Sequence, residues 1–209
     1  MLVAVANTKG GQGKTTWSCA LAGWLEAELL DLDPQQGDAM GWGEMAGHPV
    51  RGIWPEESLD ILEASAKDKA WHVADCPPHE GEAMRAALAY AQAVLVPVGP
   101  GPQDARGWGR MQALLQEAKE GPNPGLKVGL VLNGLRSRVA LHEEVAKMLR
   151  DAHKPSEGVW FLGVAGLRQA VAEAYATGAH PFMASGHAGE EFQAILKMFT
   201  KNVLNTKNK

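Results

Sequence analysis

Lys9-Gly10-Gly11-Gln12-Gly13-Lys14-Thr15-Thr16 decides the fold. Before it, Leu2 to Ala6 is a short apolar run that reads as a buried strand; after it, Lys14 to Ala27 carries apolar residues at helical spacing. The glycine-rich turn therefore joins a strand to a helix, the context that a phosphate-binding loop requires. Gly10, Gly11 and Gly13 lack Cβ, so several amide N–H groups can converge on one anion at the positive end of the helix dipole. Lys14 is placed to reach the β- and γ-phosphates of ATP, the Thr15 hydroxyl to serve Mg²⁺ as a hard oxygen ligand, and Thr16 to support the α-phosphate. The usual pattern G-x-x-x-x-G-K-[ST] has glycine where this chain has Thr8, and a second lysine, Lys9, follows it.

Outward from this loop, short apolar runs alternate with longer segments of helical period. Strands are predicted at Leu2 to Ala6, Glu28 to Leu32, Trp71 to Asp75, Ala93 to Val98, Lys127 to Leu132 and Val159 to Leu162. Helices are predicted at Lys14 to Ala27, Glu80 to Ala91, Asp104 to Lys119, Leu141 to His153, Arg168 to Ala176 and Glu190 to Leu204. Gly37 to Pro55 is the longest stretch without a clear period. Alternation of this kind predicts an α/β fold, a doubly wound and mainly parallel sheet with helices on both faces.

At 209 residues with 45% apolar content, the chain fits one domain over 1–209, with about 205–209 as a flexible basic tail. Nothing approaches the roughly 18 consecutive apolar residues of a membrane span, and the start lacks the basic flank of a signal peptide, so a cytoplasmic location is expected. Cys19 and Cys76 both lie in apolar segments, which suits core packing in a reducing compartment. The formal net charge of −4 means that any surface for nucleic acid has to be local or built by assembly.

Asp75 ends an apolar strand, where a lone carboxylate is costly unless it serves a cation or hydrogen-bond donors. Holding Mg²⁺ through water supplies that reason, and a helix cap is the plain alternative. Three motifs in order, Lys9 to Thr16, Asp31-Leu32-Asp33-Pro34-Gln35 and Val73-Ala74-Asp75-Cys76-Pro77-Pro78, resemble the ParA/MinD family of deviant Walker-A ATPases. The first matches the family's K-G-G-x-G-K-T-T completely; the second is similar to its switch motif and the third to its Walker B. A looser likeness continues through Val96-Pro97-Val98, Leu130 to Asn133, and Glu173-Ala174 with Gly178. In length the chain looks like the compact ParF-type plasmid partition ATPases. One departure is the junction of the first helix with the second strand, Trp24 to Asp31, which has almost no turn where the family usually has several more residues.

The resemblance implies a Mg²⁺-dependent ATPase that forms a homodimer with ATP. It places Lys9 in the partner subunit's nucleotide site and Asp33 beside the γ-phosphate, orienting the attacking water with Lys9 and Lys14 as the other catalytic groups. Thr15, Asp33 and Asp75 form the implied metal set, and Asp31 reads as structural. Asn133 either meets the adenine edge, as the family asparagine does, or is a turn residue. A ParB-type or other cargo adaptor is the implied partner, with hydrolysis segregating plasmid or chromosome DNA.

Nonspecific DNA contact needs clustered cations, and the candidates are Lys147, Arg150, Lys154, Arg168, Lys197 and Lys201. After Glu191 the chain carries Lys197, Lys201, Lys207 and Lys209 and no acid. Three rivals share the loop. A MinD-like membrane switch needs a terminal amphipathic helix, but Phe192, Ile195, Leu196, Phe199 and Val203 read as core packing, so no membrane is expected. A nitrogenase-reductase-like carrier would need cysteines at a subunit junction, which Cys19 and Cys76 do not suit. A metabolic ligase or kinase would need a substrate pocket opposite the γ-phosphate.

Overall fold

Apolar residues alternate across the pleat of the first strand, β1 (Leu2–Val5), and each set meets a different layer of helices. Leu2 and Ala4 belong to one fully buried cluster and Val3 and Val5 to another, so both faces of the strand are core. The computed structural model describes residues 1–135 and 140–205. Among them the chain runs β1, α1 (Lys14–Leu25), β2 (Glu28–Asp31), α2 (Asp38–Ala46), β3 (Val50–Gly52), α3 (Ser58–Lys67), β4 (His72–Asp75), α4 (Glu82–Tyr90) and β5 (Ala93–Val98). It continues as α5 (Pro102–Glu120), β6 (Lys127–Leu135), α6 (Ala140–Ala152), β7 (Val159–Gly166), α7 (Gln169–Ala176) and α8 (His187–Met198).

The seven strands order as β3-β2-β4-β1-β5-β6-β7, and every described pairing is parallel. This is the doubly wound α/β architecture with a Walker-A loop that the sequence predicts. One face is covered through Leu62, Met84, Leu88, Met111 and Leu149, from α3, α4, α5 and α6. The other is covered through Trp17, Trp42, Phe192 and Phe199, from α1, α2, α8 and the π turn Phe199–Val203 that follows it. After β1 the chain moves to the β2 side, and after β4 it crosses to β5, so the winding reverses around β1. Ligand crevices form at such a reversal, outside the carboxyl ends of the strands.

All six predicted strands form. The predicted helix 190–204 begins earlier, at His187, and its last turn is π rather than α. Between Leu32 and Trp71 the sequence had suggested no element, yet α2, β3 and α3 stand there. The tight junction after α1 is made by Glu26, which takes the left-handed conformation (φ 52, ψ 44), while Ala27 N donates to Ala22 O at 2.8 Å. β2 can then start at Glu28 and still run in register with β4, Glu28 opposite His72 and Asp31 opposite Asp75. Among the described residues no helix is long and apolar enough to cross a membrane. Lys207 and Lys209 of the expected tail lie outside the described residues.

Candidate functional site

The loop between β1 and α1 needs glycine for two separate reasons. Gly11 (φ 73) and Gly13 (φ 85) take left-handed backbone, and a Cβ on Gly13 would sit 2.5 Å from Asn133 Nδ2. Gly13 caps α1 with no side-chain acceptor, and the first turn holds no acid, so its amide N–H groups remain for an anion. Lys14 is only 8% exposed, and its ammonium donates to Lys9 O at 3.3 Å. Burial pushes this lysine below its ordinary range, against the pull of Asp75. A buried cation under a ring of amides is a receptor for phosphate oxygens.

Beside Lys14, register brings two carboxylates together on adjacent strands. Asp75 accepts from Ser18 Oγ at 2.9 Å and from the Thr15 hydroxyl, and burial outweighs both bonds, so its carboxyl is pushed up to about 7. Asp31 accepts from Asp33 N at 2.9 Å through Oδ1, while its Oδ2, on a residue 2% exposed, has no partner of ordinary hydrogen-bond geometry, although the Met40 backbone amide also favours the charged carboxylate. Burial raises the Asp31 carboxyl as well. Both line a cavity of about 480 Å³ with Lys14, Thr15 and Asp33. An orphaned buried carboxylate oxygen next to a hydroxyl and a second carboxylate is a hard-oxygen donor set that fits Mg²⁺. The sequence reading gave Asp31 a structural part. Asp31 lines the same cavity as Asp75 and Thr15 with that oxygen unbonded, and its position at the carboxyl end of a strand was the available signal.

Across the loop lies a second cavity of about 500 Å³, lined by Gln12, Gly134, Arg168, Val171 and Phe192 among others. Gly11, Gly13, Thr16 and Tyr175 line both cavities, which makes them one groove over the loop. Tyr175 Oη donates to Asp38 O at 2.7 Å and ties α7 to the start of α2 there. Asn133 lines the second cavity, where its Nδ2 donates to Gln12 O at 2.8 Å and its Oδ1 accepts from Trp17 Nε1 at 3.2 Å. The amide is thus a strut between β6, the loop and α1. Such a groove suits an elongated ligand, charged at the Lys14 end and flat and less polar at the other.

Lys9 lines neither cavity. Its ammonium pairs with Asp104 Oδ1 near the start of α5, and the same oxygen accepts from Gln12 Nε2 at 2.9 Å. Asp104 Oδ2 accepts from Gly101 N at 2.7 Å, and Gly99 N donates to Gln12 Oε1. Burial pushes the Asp104 carboxyl up, but Lys9, Gly101 and Gln12 together hold it below the ordinary carboxylate value. Nothing in the sequence motifs pointed to Asp104.

The six basic candidates do not form one cluster. Lys147, Arg150 and Lys154 are exposed on or just after α6, with Arg150 Cζ 5.6 Å from the Phe161 ring centroid. Lys197 and Lys201 are exposed on α8 and the π turn, which pack on the opposite face of the sheet. Arg168 lies at the rim of the second cavity, 2.6 Å from Glu191 Oε1.

A family profile described as the CobQ/CobB/MinD/ParA nucleotide binding domain matches residues 3–182. The chromosome-partitioning ATPase Soj of Thermus thermophilus is 29% identical over 196 residues, covering 76% of this chain and 78% of that protein. Maintenance of carboxysome distribution protein A of Halothiobacillus neapolitanus is 33% identical over 150 residues, covering 66% and 68%. In fold, the chain is similar to the apo McdA structure from Cyanothece, with a TM-score of 0.73 at 14% identity over 94% of this chain and 98% of that one.

Proposed function

Since this chain belongs to the CobQ/CobB/MinD/ParA nucleotide-binding family and is a Walker-A ATPase, we propose that ATP closes it into a homodimer that binds DNA nonspecifically and positions a cargo. In this reading Lys14, the loop amides and Thr16 grip the phosphates, and Thr15, Asp33 and Asp75, joined by Asp31, hold Mg²⁺ directly or through water. Mg²⁺, when bound, would neutralise charge on the phosphates as they part. Asp33 orients the attacking water, and the second cavity, with Asn133 at its edge, takes the adenosine. A cargo-bound adaptor of the ParB type stimulates hydrolysis and so releases the dimer from DNA, segregating plasmid or chromosome. Relatives named for chromosome partitioning and for carboxysome distribution support a positioning role and leave more than one class of cargo.

One observation carries this reading. Two lysines share an eight-residue loop, one buried beneath the phosphate groove and the other turned away from both cavities. A lysine on a phosphate loop that does not serve its own groove is available to another subunit's phosphates, and such a charge in trans is worth roughly 10³ to 10⁵ in rate in comparable enzymes. The apolar face of α8 supports the DNA branch over the lipid branch: Phe192, Ile195, Leu196, Phe199 and Val203 are all buried in the core.

The test is DNA retardation across a salt series with ATP, ADP and no nucleotide, beside flotation with anionic liposomes. Retardation only with ATP, weakening steeply with salt, is expected. Liposome binding without DNA binding would overturn the DNA branch. Lys14→Ala should remove about 2–5 kcal/mol of nucleotide affinity by calorimetry. Lys9→Ala should keep binding but lose dimer formation and turnover, and equal loss of affinity in both variants would assign Lys9 to its own site.

A further inference from the structure

The contact between Lys9 and Asp104 has no part in gripping a nucleotide, and we infer that it is a latch that holds the loop's outer lysine in its own subunit until a partner's phosphates draw it away. The inference rests on the dimer reading above and adds what opposes the dimer.

Three features of the geometry make the contact separable. The Lys9 side chain is 34% exposed whereas that of Asp104 is 12% exposed, so the lysine is the end that solvent and another molecule can reach. When Lys9 leaves, Asp104 keeps two donors, Gln12 Nε2 and Gly101 N, so no buried carboxylate is left bare. The carboxylate stays where it is because it also closes the start of α5 through Gly101 N, so only the lysine has to move. A nucleotide triphosphate offers several negative charges in place of one, which is the differential interaction that a population shift requires.

Latching also places Asp104 in contact with the site's own loop. Gln12, the variable residue of the loop, joins Asp104 through its Nε2 and Gly99 N through its Oε1, so the loop and the β5–α5 connection move as one piece. A closing dimer must release two latches, one per subunit. If each latch lowers the competent fraction about threefold, removing both tightens association about ninefold.

Asp104→Asn tests this, because asparagine keeps an acceptor for Gly101 N and removes the charge that holds Lys9. Sedimentation of the full chain with ATP and Mg²⁺ should show the variant dimerising at about tenfold lower protein concentration than wild type. Asp104→Glu, which restores the charge, should return the threshold toward wild type and guards against a merely structural effect. Independently of dimerisation, brief acetylation of the nucleotide-free protein should label Lys9 severalfold faster in Asp104→Asn, read by peptide mass spectrometry. Unchanged Lys9 labelling, or an unchanged threshold beside a wild type that dimerises, overturns the latch alone. A wild type that stays monomeric with ATP overturns the dimer reading, and the latch with it.

Discussion

At Asp75, burial and two hydroxyl donors pull in opposite directions, and burial wins. The folded carboxyl titrates at about 7, above the roughly 3.9 of an unfolded aspartate. The folded state therefore holds a proton that the unfolded state gives up, so this residue's contribution is complete below about pH 4 and is lost as pH rises through about 7. Melting of the nucleotide-free protein against Asp75→Asn should show wild type losing ground to the variant between pH 5 and 8; wild type gaining on the variant as pH rises would contradict the assignment. Gly13→Ala meets both a left-handed backbone and the Asn133 amide at 2.5 Å, and it should cost at least about 1–2 kcal/mol in denaturant melts as well as nucleotide affinity. At this scale the loop was legible because its chemistry depends on neighbours in sequence. The juxtaposition of Asp31 with Asp75 and the contact of Lys9 with Asp104 were not, because one depends on strand register and the other on a loop 95 residues away.

Among the elements, α8 does more than close the second face of the sheet. Phe192 stacks on Trp17 of α1 with ring centroids 4.1 Å apart and also lines the second cavity. Phe192→Ala should destabilise the protein by about 3–5 kcal/mol in urea melts and weaken nucleotide binding at the same time. A loss confined to stability would separate α8 from the groove. The sequence made the strands plain, since buried parallel strands are short continuous apolar runs such as Ala93–Val98. It hid α2, whose core contribution is only Ala39, Trp42 and Gly43 within a segment broken by glycine, and β3, which is three residues long at the sheet edge. α3 was missed because only Leu62, Ser58 and Ser65 of its ten residues are buried, too few apolar positions to set a period.

For the molecule as a whole, the sheet divides the cations into two sets that flank β7 from opposite faces. The α6 set is interleaved with Glu143, Glu144 and Asp151, whereas the described chain after Glu191 has no acid. Lys197→Ala with Lys201→Ala should therefore flatten the salt dependence of DNA binding by about two per subunit. Lys147→Ala with Lys154→Ala should change it by less than about one, and the reverse ranking would move the interface to the α6 side. Net charge could not forecast this division, because the fold and not the composition decides which lysines share a face. The order of the strands has a further consequence for how the protein is made. Among the described residues β1 pairs with 72–75 and 93–95, so the central strand leaves the ribosome long before either of them exists. At roughly 5–20 residues per second, a nascent chain carries that bare apolar strand for several seconds, and translation speed or chaperone supply should govern its yield more than the stability of the finished sheet.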